Sequence, residues 1–307
     1  MNRGQQRSSG RGGRGPATGG RGRRPRRDEA RIAAYDLLRA VDERDAYANL
    51  LMPTLLRQRK ITGRDAALAT ELAYGTLRGL GTYDEIIGAC GDRAPGELDP
   101  PLRDAIRLGA HQLLRTRIPA HAAVSSTIDL VRLRVGPGPS RYANAVLRKV
   151  AGRTLDEWLA IVAPPKEEDP IGHLAVVHSH PRWIVNAFRD ALGGDLDETT
   201  AALEADNARP RVALVARPGR CSPDELVAAG AERAAYSPYG CYLTEGDPAE
   251  IPAVAEGRAA VQDEASQLVA LALTRVPLDE DRRWLDMCAG PGGKAGLLDA
   301  IAAERGA

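Results

Sequence analysis

Between Trp284 and Ala295 the chain reads Trp-Leu-Asp-Met-Cys-Ala-Gly-Pro-Gly-Gly-Lys-Ala, with three glycines, a proline and a lysine at positions 290–294. The apolar start predicts a strand over 284–288, and the residues from Gly293 to about 305 predict a helix. Gly290, Gly292 and Gly293 carry no Cβ, so the backbone can approach a ligand closely. The free N–H groups of a helix start attract an anion, and Lys294 adds a positive charge nearby. Together these residue types suit a nucleotide-like cofactor that carries a negative group. A plain strand-to-helix turn would use glycine for geometry alone and would need fewer such residues.

Three readings compete for this loop. A phosphate-cradling loop needs G-x-x-x-x-G-K-[ST]. Cys288 stands where its first glycine should be, and Ala295 replaces the metal-binding hydroxyl. A dinucleotide loop needs G-x-G-x-x-G/A, which Gly290, Gly292 and Ala295 satisfy, but that pattern normally opens a domain. The third reading is a loop for S-adenosyl-L-methionine of the form D-x-C-A-x-P-G-G-K, and each of its fixed residues is present. On that reading the cofactor-binding residues are Cys288, Ala289, Gly290, Pro291, Gly292, Gly293 and Lys294.

The elements that must position this loop lie upstream. Residues 1–27 are Arg/Gly repeats with nine arginines and no acid. They have little to bury and are expected to be disordered. Two uses stay open: an arm for RNA, adding about −6 to a log–log salt slope, or a dispensable solvated tail. From 28 to 152 the apolar residues recur at helical spacing. Ile32, Leu37, Leu38 and Val41 form one face, and Leu50, Leu51, Leu55 and Leu56 the next. Leu68, Leu72 and Leu77 follow. Pro100-Pro101 opens a helix through Leu113, Pro119 one through Val131, and a last helix carries Tyr142, Val146 and Leu147. This predicts an all-α domain of six or seven helices.

The proline-rich 164–170 segment reads as a linker. Helices are expected from His173 to His178, Pro181 to Leu192 and Leu196 to Asp206. Arg211–Ala216 gives the first strand signal, and Ser222-Pro223-Asp224-Glu225 a capped helix start. Residues 170–260 are therefore expected as a helical and α+β unit. A short strand at 259–261, a helix at 264–275 and the loop region make 261–307 the start of an α/β domain.

Composition narrows the classes. Hydrophobic residues make up 43 % of the 307, and no stretch reaches the length of a membrane span. The N-terminus lacks the apolar core of a secretory signal, so a cytoplasmic location is expected. Cys90, Cys221, Cys241 and Cys288 form no C-x-x-C pair, so neither a zinc site nor a disulfide framework is expected. The net charge is +1, yet beyond residue 27 the chain has 33 basic and 41 acidic residues. Arginine outnumbers lysine 38 to 4. A bias of that kind can be genomic, so no single arginine is diagnostic. Three basic sets are candidates for RNA phosphate contact: Arg103, Arg107, Arg115 and Arg117; Arg132 and Arg134; Arg141, Arg148 and Lys149. An ordinary solvated face remains the alternative. His121 reads first as a helix-start residue, and Asn144 with Arg148 stand one turn apart.

The loop resembles motif I of the cytosine-C5 RNA methyltransferases of the NOL/NOP2/Sun family. Upstream segments sharpen the resemblance to the Sun/RsmB type, which acts on 16S rRNA. They are Tyr74-Gly75-Thr76-Leu77-Arg78, Ile118-Pro119-Ala120-His121-Ala122-Ala123-Val124 and Tyr142-Ala143-Asn144-Ala145-Val146-Leu147-Arg148. His180-Pro181-Arg182-Trp183 and Gln262-Asp263-Glu264-Ala265-Ser266 match as well. The order of these segments along one chain is more specific than any one of them. Gly290 and Ala295 depart from the family's usual Ala and Thr. The resemblance implies a multidomain protein. An all-α NusB-like domain at 28–152 would be followed by a small α+β unit and the start of a Rossmann-like α/β methyltransferase domain. It implies S-adenosyl-L-methionine as cofactor and 16S rRNA as partner, with no metal and no membrane, and a monomer is expected. It also implies that the Gln262–Ser266 segment lies by the active site. The rival from another class is a NusB-like RNA-binding or antitermination module without catalysis. A nicotinamide enzyme is the weaker alternative.

In the family a cysteine thiolate adds to C6 of cytosine, which makes C5 nucleophilic toward the methyl group. That cysteine sits in a Thr-Cys segment, with a second in a Pro-Cys segment. Neither dipeptide occurs here, and Cys288 reads as a packing or cofactor-lining residue rather than the nucleophile. The nucleophile is expected beyond residue 307. The purified 307-residue chain is accordingly predicted to transfer no methyl group to cytosine. Methyl transfer from labelled cofactor to RNA by this chain would refute that expectation.

Overall fold

The computed structural model describes residues 27–208, 210–277 and 283–306. The expectation for the Arg/Gly stretch lies outside the described residues, apart from Arg27. The chain divides into two compact units, with the boundary between Asn207 and Ala208.

The first unit is helical. Helices α1 (Glu29–Arg44), α2 (Ala48–Arg59), α3 (Gly63–Arg78) and α4 (Leu80–Cys90) come first. They are followed by α5 (Pro100–Arg115), α6 (Ala120–Arg134) and α7 (Ser140–Val150). These seven helices enclose one core, in which Leu37, Leu72, Tyr83, Ile86, Ile106 and Leu147 are fully buried. Each such side chain contributes about 1.5–3 kcal/mol of transfer free energy. Local signals set the ends. Asp28 Oδ1 accepts the Arg31 N–H at 3.1 Å, and Pro100-Pro101 occupies the first turn of α5. Apolar periodicity marks no separate helical face over α4. Its sequence holds two glycines and few large apolar residues, yet Tyr83, Ile86 and Ile87 are buried.

Polar contacts inside this unit fix how the helices meet. Asp104 on α5 is buried and accepts from Arg39 of α1 at 2.6 Å and from Arg107 at 3.0 Å. Arg107 also grips Asp84 of α4 through two hydrogen bonds of 2.7 and 2.6 Å. Arg31 donates to Gln112 at 2.8 Å, and Gln112 donates to Thr127 on α6 at 3.2 Å. Gly75 of α3 lets α5 come close, because a Cβ there would overlap the His111 ring. His111 is 1 % exposed, and its Nδ1 is 2.8 Å from the Tyr83 hydroxyl.

Four more helices complete the first unit: α8 (Leu155–Val162), α9 (Pro170–Val177), α10 (Arg182–Ala191) and α11 (Leu196–Asn207). A capping box of Thr154 and Glu157 starts α8, and the indole N–H of Trp158 donates to the Val150 carbonyl at 2.9 Å. Asp169 caps α9 and is gripped by Arg182 at 2.6 and 2.9 Å. Ser179, with φ of 58°, accepts the N–H groups of Gly81 and Thr82 at 3.0 and 3.3 Å. A residue far along the chain thus caps α4, whose own N-cap position is a glycine. The boundary at 207 divides the unit expected over 170–260. α9–α11 belong to the first unit, where α10 packs on α9 and α11 and α9 packs on α4.

The second unit has strands β1 (Val212–Ala216), β2 (Ala231–Arg233), β3 (Gly240–Leu243) and β4 (Ala259–Val261), in the order β2-β3-β1-β4. Every pairing is antiparallel, with Val212 opposite Leu243 and Leu214 opposite Val261. Helices α12 (Pro223–Ala228) and α13 (Pro252–Ala255) cover one core, with Leu214, Leu226 and Cys241 buried. Ser222 caps α12 by accepting from Glu225 N–H at 3.3 Å. Helices α14 (Glu264–Thr274) and α15 (Gly293–Arg305) form a second core with Val215, Leu271, Leu297 and Ile301. The strand expected at 284–288 is not formed. A strand needs a ladder partner, and none of β1–β4 pairs with this segment. Trp284 instead packs into the α14–α15 core, with Arg305 5.6 Å from its ring centroid.

Burial, joined by the nearby charges of Arg115 and Arg78, pushes His111 from its ordinary 6.5 down to about 4. Below pH 6.5 the unfolded chain takes up this proton and the folded chain does not, so stability falls as pH falls. The loss runs from about pH 6.5 to about 4 and amounts to about 3 kcal/mol at 1.36 kcal/mol per unit. Urea midpoints of wild type and His111→Gln across that window measure it. Parallel pH profiles for the two proteins would contradict it.

Candidate functional site

The Gln262–Gln267 stretch leads from β4 into α14 and does two kinds of work. Asp263 caps α14 by accepting from Ser266 N–H at 3.2 Å. Glu264 is buried and accepts from the N–H groups of Tyr236 and Ser237 at 2.6 and 2.8 Å and from the Tyr242 hydroxyl at 2.8 Å. Burial alone would raise its pKa, but these donors outweigh burial and hold the carboxyl below the usual range. Gln267 accepts from Ser237 Oγ at 2.6 Å and donates to the carbonyls of Leu214 and Gln262. Glu264 and Gln267 are thus consumed in holding the β2–β3 connection and β1.

Gln262 is different. It is 7 % exposed, and neither its Nε2 nor its Oε1 has a hydrogen-bond partner. Its side-chain amide lies beside the first residue of α15, 3.8 Å from where a Cβ of Gly293 would stand. Buried polar atoms without partners are rare and costly. Two more such atoms border the same region. Asp286 accepts the Cys288 N–H at 3.0 Å through Oδ1 and leaves Oδ2 unpaired. Arg217 donates to the Gly257 carbonyl at 2.7 Å, lies against Gly296 and leaves Nε unpaired.

The loop residues sit as follows. Cys288, Ala289, Gly290 and Pro291 are exposed, and the Gly290–Pro291 peptide is cis. Gly292, with φ of 107°, is the N-cap of α15, and no side chain caps the helix. That φ lies in the left-handed region, where a Cβ would be strained. Gly293 is half-buried and Lys294 is exposed, so the first-turn N–H groups and the lysine share one end of α15. Leu285 and Met287 are 77 % and 87 % exposed, unusual for large apolar side chains. Among the cysteines, Cys90, Cys221 and Cys241 are buried. Burial raises all three thiols, and with the neighbouring Glu225 it brings Cys221 up to about 11. None of the three is poised as a thiolate nucleophile.

The arginines separate into two groups. Arg103, Arg107 and Arg134 are held by Asp42, Asp84, Asp104 and Asp36, and Lys149 donates to the Cys90 carbonyl. Arg115, Arg117, Arg141 and Arg148 form no ion pair among the described residues. A groove of about 480 Å³ between α6 and α7 brings His121 and Arg132 of α6 together with Asn144 and Arg148 of α7. The His180–Trp183 segment is structural through Arg182, while Trp183 stands 71 % exposed. Gln262 was legible only as part of a segment; its unpaired amide needed the packing of β4 against α15.

The sequence model of the NusB family matches residues 28–152. A putative methyltransferase of Mycobacterium tuberculosis is 52 % identical over 286 residues, covering 92 % of this chain and 63 % of that one. Ribosomal RNA small subunit methyltransferase B of Pseudomonas putida is 33 % identical, covering 89 % and 62 %. The chain is a homologue of the ribosomal RNA small subunit methyltransferase B proteins. It spans just over three fifths of the length of these relatives. In fold it is similar to the crystal structure of PH0851, with a TM-score of 0.65 and 19 % identity over 90 % of this chain and 61 % of that one.

Glu264→Ala strips the partner from two backbone N–H groups and a hydroxyl. It is expected to cost the second unit about 1–3 kcal/mol or more, against about 1 kcal/mol for the exposed cap change Asp263→Ala. Chemical denaturation of both variants tests the ranking, and equal costs would refute it.

Proposed function

We propose that this chain is the RNA-binding and cofactor-loop part of an S-adenosyl-L-methionine-dependent methyltransferase of cytosine C5 in 16S rRNA. It would work in the cytoplasm as a monomer. The observation that carries the reading is the unpaired, buried amide of Gln262 beside the glycine turn that opens α15. A turn built only for geometry would not leave these polar atoms without partners. The donor set suits the cofactor. An uncapped helix start and Lys294 match a carboxylate, and a side-chain amide matches groups that both donate and accept. The exposed Leu285 and Met287 offer apolar surface next to them.

In this reading the glycine loop and α15 would open a Rossmann-like methyltransferase domain, and 284–288, not a strand here, would become its first strand only beside a partner. The strand would take its ladder from a parallel sheet. Bound there, the cofactor supplies the activated methyl group. The N–H groups of Gly293, Lys294 and Ala295 would hold its carboxylate, and Cys288 through Pro291 would line the loop. Gln262 would orient it by hydrogen bonds. The first unit would hold the RNA, through Arg148, Asn144 and His121 in the α6–α7 groove.

Gln262→Leu removes the amide and keeps the bulk. It is expected to leave stability unchanged or improved, because no hydrogen bond is lost from the free protein. Binding of labelled S-adenosyl-L-methionine, followed by calorimetry with NADH as control, is expected to weaken about tenfold or more, at 1.4 kcal/mol per tenfold. Saturable NADH binding, or a destabilised variant with unchanged affinity, would sink the reading. An absence of any cofactor binding would favour the non-enzymatic RNA-binding module.

A further inference from the structure

A second cavity lies wholly within the first unit, where α3 and α5 meet the α9–α10 turn and the end of α11. It measures about 220 Å³, and Arg78, His111, Arg115, His178, Ser179 and Asn207 face it. At its floor His111 is 1 % exposed, and its Nε2 makes no well-formed hydrogen bond, with Glu71 beside it. The Tyr83 hydroxyl lies 2.8 Å from Nδ1, and the guanidinium of Arg115, which can only donate, stands close to the same hydroxyl. With Tyr83 donating to Nδ1, the neutral imidazole carries its ring proton on Nε2, directed at the cavity. A buried N–H without a well-formed hydrogen bond is costly.

Arg78 and Arg115 form no ion pair among the described residues, and both lie close enough to His111 to oppose its protonation. Glu71 is the carboxylate at the cavity, with Oε1 3.7 Å from His111 Nε2 and its side chain 41 % exposed. Two guanidinium groups thus face one partly solvated carboxylate. The Ser179 oxygen already accepts two backbone N–H groups, so its hydroxyl proton is available to a ligand. Asn207 is fixed by donating to the His178 carbonyl at 2.7 Å.

We propose that this cavity binds a phosphate group, with Arg78 and Arg115 as its counter-charges and His111 Nε2–H as its buried donor. Planar guanidinium forks match a tetrahedral oxyanion, and a neutral imidazole N–H satisfies it without further charge. The cavity joins the seven-helix domain to α9–α11, so an occupied site ties the two together. This assignment is independent of the cofactor reading, since no residue of the second unit enters it.

The test uses the purified chain with inorganic phosphate, titrated against chloride at constant ionic strength. Phosphate at several times its Kd is expected to raise Tm by about 2–4 °C. The rise is lost in the Arg78→Gln/Arg115→Gln double variant, and Glu71→Gln binds phosphate more tightly than wild type. A second arm uses a 5′-phosphorylated single-stranded RNA and measures the slope of log K against log salt. If RNA is the source of the phosphate, the double variant flattens the slope by about 0.7–1.4. A lost phosphate response with an unchanged slope assigns the cavity to a free phosphate. No phosphate-specific stabilisation of wild type together with an unchanged slope overturns the proposal. If the double variant does not fold, Glu71→Gln decides, and unchanged phosphate affinity there overturns it.

Discussion

Asp104 sits on α5 inside the first unit, where a carboxylate without counter-charge would cost several kcal/mol. Its two hydrogen-bonded guanidinium partners come from different places, Arg39 on α1 and Arg107 one turn along α5, and Arg103 adds a looser ion pair at 3.8 Å. Arg107 then reaches Asp84 on α4. The carboxylates and guanidinium groups thus tie α1, α4 and α5 together in one connected polar network. Once α1, α4 and α5 are set this way, Gly75 can meet the His111 ring, and Tyr83 can reach Nδ1. The second unit repeats the device with Glu264, which gathers two backbone N–H groups and a hydroxyl from the β2–β3 connection.

This use of charge decides which residues are left for ligands. Arginine is abundant throughout the chain, so its count carries little meaning. Arg39, Arg103, Arg107 and Arg182 are taken by internal carboxylates. Arg78, Arg115 and Arg148 form no ion pair among the described residues, and each faces a cavity or groove. The same distinction applies to the amides. Gln112 and Gln267 are satisfied inside the fold, whereas Gln262 keeps both polar atoms unpaired next to the glycine loop. Candidate ligand contacts are therefore found by elimination, after internal partners are assigned.

Much of the architecture was readable from local patterns. The Ser222 cap and the prolines at 100 and 223 mark helix starts that the structure shows, whereas Asp169, read within a linker, turns out to cap α9. These signals act within three or four residues, so sequence alone carries them. α4 was less legible, because its N-terminus is capped by Ser179 from 98 residues away in sequence. The 284–288 segment failed as a strand for a related reason. Apolar character sets the preference, but strand formation needs a neighbour, and Trp284 finds the α14–α15 core instead. Of the candidate site, the glycine turn and Lys294 were visible as residue types. The unpaired atoms of Gln262, Asp286 and Arg217 were not, since a missing partner is a property of packing.

The sequence by itself determined the helical character of the first unit, the strands β1 and β4 of the second and the glycine-rich turn that opens α15. Spacing, caps and the absence of a Cβ are local properties, and the order of motifs along the chain carries the family resemblance. Tertiary structure alone decided which charges are spent and which are free. It placed α9–α11 with the helical unit, brought His121 beside Asn144 and Arg148, and left His111 Nε2 and the Gln262 amide without hydrogen-bond partners. Whether a polar atom is satisfied depends on groups tens of residues away, and that is settled only when the helices and strands have packed.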